Sequence, residues 1–262
     1  MKIAIVFLSY KPHQNTVLLA DTIRIFTDFD CYIIADNNEE KYANNVLQLE
    51  DDKCAPYINS ATYKGITSLQ KNPNSWDKMF YFFLKEKDYD FVWVFEDDVF
   101  IPSVNAITNL HSKYKDYDLV VPNNFKKTNN IKDWHWSYLL DKYEPPFYHS
   151  MVCAFGMSRK MMDCLRAFVD KNKTLYYHEV MLNTIGMQNN LKVIDAFELK
   201  SVVWQGKWGI DEFLLLPNNV FHPVKEIECH GELRNKISTY KNQNYTPVNR
   251  LPEFLQITNK NK

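Results

Sequence analysis

Three consecutive carboxylates, Glu96-Asp97-Asp98, follow directly on the apolar run of residues 91–95, FVWVF. Like charges at that spacing repel, so a fold that gathers them either leaves them in water or supplies a counter-charge. Oxygen donors of this kind suit Mg²⁺ or Mn²⁺, ions that commonly bridge to substrate phosphates. A solvated acidic turn is the competing reading. The apolar run before the triplet and Val99-Phe100-Ile101 after it favour a buried functional edge. Far along the chain, Phe221-His222-Pro223-Val224-Lys225 offers an imidazole and, three residues later, a cation. Pro223 restricts the backbone that presents His222. A neutral imidazole beside carboxylates makes a plausible Mn²⁺ site, and Lys225 is placed to neutralise a diphosphate. A histidine before proline, taken alone, is more often structural.

The elements that must position these groups alternate between strand and helix. Residues 2–9 form a continuous apolar run, the mark of a strand covered on both faces. Residues 13–29 carry Val17, Leu18, Ile23, Ile25 and Phe26 at helical spacing. Residues 31–35 (CYIIA) read as a second buried strand, stopped by Asp36-Asn37-Asn38. Ser75 is an N-cap candidate for a helix reaching about residue 87, with Trp76, Met79, Phe80, Phe83 and Leu84 inward. Residues 91–95 are the central strand. Further on, helices are expected over 103–114, 158–169 and 176–188, and strands over 118–121, 151–157 and 192–197. Residues 123–149 look like a long surface loop, and 201–225 like a Trp- and Pro-rich closing segment. This succession predicts an α/β domain with a largely parallel sheet.

Composition narrows the function. The 262 residues hold 31 basic and 32 acidic side chains, so no basic excess marks a nucleic-acid binder. A 45% apolar and 15% aromatic content supplies a full core. No stretch approaches the ~18 apolar residues of a membrane-spanning helix. Residues 1–10 read as a first strand and not as a secretion signal. The five cysteines, Cys31, Cys54, Cys153, Cys164 and Cys229, include no CxxC and are expected to be reduced, as in a soluble cytoplasmic protein. Only six glycines occur, without GxGxxG or GxxxxGK[ST], which removes the usual support for dinucleotide or P-loop chemistry.

Together, Glu96-Asp97-Asp98 at a strand end and the distal His222 resemble the metal-dependent glycosyltransferases of the GT-A fold. The resemblance covers roughly residues 2–225. It implies a Rossmann-like α/β domain over residues 1–234, with a nucleotide-sugar half to about 122 and an acceptor half to 234. Residues 235–262 would be a tail ordered only in part. In that family the strand ends in an acidic DxD motif. Its last carboxylate binds Mn²⁺ or Mg²⁺, earlier ones meet the donor's ribose and sugar, and a C-terminal histidine completes the metal shell. Here those positions are Asp98, then Glu96 and Asp97, and His222. The first acid is Glu and a second Asp fills the middle, so Asp97 competes with Asp98 as ligand; Asp98 is preferred.

The same resemblance assigns the rest of the site. Ser9 and Tyr10 end the first strand where the nucleotide pocket begins, with Tyr10 able to stack on a base. Asp36 matches an acid facing the uracil ring, or serves as a turn residue. Trp76 and Lys78 open the helix before the acidic strand and meet the donor, or are core and surface respectively. His178-Glu179 resembles the acidic pair of inverting members, with Glu179 as base and His178 in place of the usual acid. A glutamate stabilising a helix N-terminus by about 0.3–1 kcal/mol is the alternative. Trp134-His135-Trp136 and the segment from Trp204 to Trp208 offer faces for a glycan acceptor, with Trp136 and Trp208 preferred. Small soluble members from microbes and large DNA viruses are the nearest in style, implying UDP-xylose, UDP-glucose or UDP-galactose as donor. Three other readings compete. A sugar nucleotidyltransferase would need a glycine-rich loop that residues 9–14 lack. A nuclease or phosphodiesterase lacks its charged track. A glycan-binding module would explain the tryptophans but not the acidic strand end.

Overall fold

A computed structural model of the chain describes residues 1–36, 42, 45–54, 73–127, 144–243, 245–247, 251–252 and 255. Trp136 and its neighbours Trp134 and His135 lie outside the described residues.

The chain opens with β1 (Ile3–Ser9), α1 (Gln14–Phe26) and β2 (Asp30–Ala35). After β3 (Val46–Leu47) and the short α2 (Asp51–Cys54), α3 (Ser75–Tyr81) runs into a π-helical turn, Phe82–Glu86, ahead of β4 (Phe91–Glu96). Next come α4 (Val104–Tyr114), β5 (Leu119–Val121) and the two-stranded pair β6 (Phe125–Lys126) and β7 (Tyr148–His149). The second half holds β8 (Ala154–Ser158), α5 (Arg159–Asn172), α6 (His178–Gln188), β9 (Val193–Asp195), α7 (Ile210–Leu215) and α8 (His230–Asn242).

Seven strands form one sheet in the order β3-β2-β1-β4-β8-β5-β9. β1, β2, β3 and β4 run parallel, as do β5 and β9. β8 lies antiparallel to both β4 and β5, so the expected largely parallel sheet carries one reversed strand near its centre.

The continuous apolar runs have a direct cause. In β1, Ala4, Val6 and Leu8 face one layer while Ile5 and Phe7 face the other, and all are buried. β4 splits likewise, Val92 and Val94 one way and Phe91, Trp93 and Phe95 the other. Trp76, Met79, Phe80 and Phe83 cover the first face, joined by α5 and α6. α1, through Leu19, Ala20 and Ile23, and α4, through Ala106, Ile107 and Leu110, cover the second. Each such side chain contributes about 1.5–3 kcal/mol on burial, so neither face tolerates a polar slip. Gly156 in β8 lies opposite Trp93, where a Cβ would stand 2.7 Å from the Phe91 ring and 2.9 Å from Trp93. Only glycine lets those two rings lie flat on the sheet.

Several boundaries differ from expectation: β8 begins at Ala154 and not at residue 151, β9 ends at Asp195, and the expected surface loop holds the paired β6 and β7. Asn74, not Ser75, caps α3, through a capping box with Asp77. Residue 235, where a partly ordered tail is expected to begin, lies inside α8; Ile237 is buried and Leu255 is fully covered, while residues 244, 248–250, 253–254 and 256–262 lie outside the described residues. Ile237 and Leu255 pack with Phe100, Phe213 and Phe221 in a third apolar cluster. The abundance of Asn and Lys there hides a narrow helical stripe, Leu233 and Ile237, which is enough to seat the helix. All five cysteines are unpaired. No helix among the described residues is long and apolar enough to cross a membrane.

Candidate functional site

β1, β2 and β4 point their C-terminal ends at the same sheet edge, the side where ligands bind in open α/β sheets. Antiparallel β8 brings its N-terminal approach to that edge, and the closing segment 201–225 returns there as well. Backbone hydrogen bonds lock the acidic triplet among them. The Glu96 N–H donates to the Cys153 carbonyl at 2.8 Å and the Asp97 N–H to the Leu8 carbonyl at 3.0 Å. The Val224 N–H donates to the Asp98 carbonyl at 2.9 Å, and Phe100 and Phe221 exchange bonds of 2.8 and 3.0 Å.

Each acid has a different partner. Asp97 accepts from the Ser9 hydroxyl at 2.5 Å. Burial pushes its carboxyl up to about 6, against the Ser9 hydrogen bond and with the charges of Asp98 and Glu96 adding to the rise. Glu96 accepts from the Trp76 indole N–H at 2.9 Å. Asp98 places Oδ1 3.3 Å from His222 Nε2 and Oδ2 3.6 Å from Lys225 Nζ. Burial opposes its ionisation, but the hydrogen bond and charge of His222, with Lys225 behind, hold the carboxyl below its usual range. Burial likewise depresses His222, and the Asp98 hydrogen bond and charge more than reverse that.

The other ring nitrogen of His222, Nδ1, stands 2.8 Å from the Val203 carbonyl. A carbonyl only accepts, so Nδ1 carries the hydrogen and Nε2 is the atom aimed at Asp98. That backbone anchor is the usual outer-shell partner of a metal-ligating histidine. Adjacent ligands on a six-coordinate ion with ~2.1 Å bonds lie about 3 Å apart, close to the spacing of the Asp98 and His222 atoms. The donor set therefore fits a divalent cation.

The facing wall is built from the start of α6. The His178 ring stacks on Trp76 with centroids 3.9 Å apart, and Trp76 stacks in turn on Phe155 at 5.8 Å. Glu179 is nearly buried, its carbonyl accepting the Ser150 N–H at 2.9 Å. Its side chain is hydrogen-bonded by the Tyr177 hydroxyl, which burial, then the charge and hydrogen bond of Glu179, push far above the ordinary tyrosine range.

Between the walls lies a cleft of about 660 Å³. Ser9, Tyr10, Asp36, Trp76, Glu96, Asp97, Asp98, His178, Glu179, His222 and Lys225 all line it. Asp36 also works structurally, its carboxylate accepting the Ser75 N–H. Two expected residues are elsewhere. Lys78 is fully buried, ion-paired with Asp51 at 3.1 Å and donating to the Asp36 carbonyl at 2.8 Å. It braces the end of β2 and does not line the cleft. Trp208 packs edge-on against Phe221 and donates its indole N–H to the His222 carbonyl at 3.0 Å. Trp204, the other tryptophan of that segment, is 75% exposed and lines the cleft. Gly206 lets the Trp208 ring fold back, since a Cβ there would lie 2.5 Å from its indole nitrogen. The sequence did not single out Cys153, Tyr177 or Met151 as site residues, yet all three line the cleft. Only the reversed direction of β8 puts Cys153 next to Glu96, and nothing local in the sequence announces that direction.

No protein-family model matches the chain, and a search of curated proteins finds no match either.

Proposed function

We propose that the protein is a metal-dependent glycosyltransferase of the GT-A type, moving a sugar from a nucleoside diphosphate donor to a glycan hydroxyl. The observation that carries this reading is the meeting of Asp98 and His222, 3.3 Å apart at the end of the central strand, with Lys225 beside them. That arrangement offers a divalent cation and one extra positive charge at a cleft large enough for a nucleotide sugar.

Asp98 and His222 would hold Mn²⁺ or Mg²⁺; the commitment of Asp97 to Ser9 supports Asp98 as the main acidic ligand. The ion supplies positive charge where the departing diphosphate gathers negative charge. Lys225 adds a second, solvent-exposed charge at the rim. Glu96, oriented by Trp76, accepts hydrogen bonds from donor hydroxyls. Tyr10 and Asp36 stand at the nucleotide end, and a uracil base is the ligand they suit best. Glu179 removes the proton from the acceptor hydroxyl as that oxygen attacks the anomeric carbon, which inverts its configuration. Tyr177 fixes the direction of the Glu179 carboxylate during that transfer. Trp204 offers the acceptor an aromatic face.

The reading is tested by incubating the protein with Mn²⁺ and UDP-glucose, UDP-galactose or UDP-xylose and following UDP release. Release that stops with EDTA and in Asp98→Ala is expected. Absence of release from every UDP- and GDP-sugar would contradict it.

A further inference from the structure

His222 faces two different sets of donors. Asp98 stands 3.3 Å from Nε2, an oxygen ligand suited to hard cations. A carboxylate oxygen of Glu96, Sγ of Cys153 and a ring nitrogen of His222 also lie within 4.8 Å of one another. A four-coordinate ion with bonds of about 2.0–2.3 Å draws its ligands to ~3.3–3.8 Å from each other, so shifts of about 1 Å close the set. The three residues come from separate elements, and each is already oriented. The Glu96 carboxylate is held by the Trp76 indole. The Cys153 carbonyl is tied to the Glu96 N–H, and its thiol touches the Met151 sulfur at 3.6 Å. The His222 ring is anchored through Val203.

We propose that Glu96, Cys153 and His222 form a second, thiolate-containing metal position that takes Zn²⁺ and similar thiophilic divalent ions. A nitrogen, sulfur and carboxylate set is the chemistry that selects such ions over Mg²⁺. Binding exchanges the Cys153 S–H bond for a sulfur–metal bond, and the proton leaves to solvent; no electron changes hands. All three ligands line the cleft, so the fourth coordination position opens to it. His222 cannot serve both positions at once. An ion seated on Cys153 therefore displaces the hard cation from Asp98 and ties up Glu96, which makes Zn²⁺ a blocking ligand of the cleft.

Co²⁺ alone, added to the full chain without nucleotide, tests this independently of any transfer activity. One equivalent is expected to produce sulfur-to-cobalt charge-transfer absorption in the near ultraviolet, and Zn²⁺ should abolish the band. Cys153→Ser should lose the band, and His222→Ala should weaken Co²⁺ binding by about 10–100-fold. Asp98→Asn, and Ser at the less buried Cys164 and Cys229, should keep it. A wild-type spectrum without sulfur charge transfer, or a band that survives in folded Cys153→Ser, would overturn the proposal.

Discussion

The body and the tip of β4 follow one another within eight residues and obey opposite rules. From Phe91 to Phe95 every side chain is apolar and sealed, with Trp93 and Phe95 stacked 6.4 Å apart beneath α4. From Glu96 to Asp98 every side chain is acidic, and each is held by a different partner: Trp76, Ser9 and His222. The body gains most of its stability from buried area, helped by the hydrogen bond from the Trp93 indole to His111. The tip costs stability unless specific groups converge on it, since buried carboxylates without partners are expensive. A fold keeps such a tip for what it can bind. Changes in the body should therefore cost folding and spare chemistry, while changes at the tip and its facing wall should do the reverse.

The largest effect expected falls on the facing wall. Glu179→Gln should lower kcat by about 10²–10⁴-fold while leaving UDP affinity within about twofold. Steady-state kinetics beside calorimetry separates the two, and an unchanged kcat would return Glu179 to a structural role.

The body answers to pH through His111, which is buried under the strand and accepts the Trp93 indole N–H at Nδ1, 3.2 Å away. Burial pushes its imidazole down to about 4. A group depressed in the folded state contributes its full stability above its unfolded value near 6.5 and loses it as pH falls toward 4. Urea unfolding should therefore show a loss of up to about 3 kcal/mol across that window. His111→Phe should flatten the profile; an equally steep one would locate the acid sensitivity elsewhere.

Gly156→Ala presses a methyl group into the Phe91 and Trp93 rings and should destabilise by about 1–3 kcal/mol. Metal-dependent nucleotide binding in the protein that remains folded should be unaltered. The smallest effect belongs to Trp76→Phe, which keeps the stack on His178 and Phe155 but removes the hydrogen bond to Glu96. Donor affinity should fall by about 1 kcal/mol, and the smaller ring should also lower the melting temperature, since Trp76 is part of the buried layer. An unchanged donor affinity would leave Trp76 a purely structural role.

How much of this was legible follows from the same contrast. Apolar runs and helical spacing announce β1, β2, β4 and the helices over them, because burial on two faces leaves a local pattern. The acidic triplet and His222 stand out as candidates because unusual residue types sit at a strand end and before a proline, and the structure brings Asp98 and His222 together. Lys78 and Trp208 misled for one reason. Lys78 turns inward from α3 and Trp208 folds back from the closing segment, each toward a partner that is not its sequence neighbour, Asp51 and the His222 carbonyl. The order of α8 was hidden by composition, since two apolar residues a turn apart weigh little in a segment rich in Asn and Lys. Cys153 was invisible as a cleft residue because its position depends on strand direction, which no residue near it specifies.

Calorimetric titration of UDP into the wild-type protein and Asp98→Ala, each with Mn²⁺ and then with EDTA, is the most direct test of the tip's purpose. Binding that requires Mn²⁺, vanishes with EDTA and weakens at least 100-fold in Asp98→Ala, about 2.7 kcal/mol, is the expected result. UDP heat that is identical with and without the ion, or silence from UDP and GDP alike in protein shown to be folded, would contradict it.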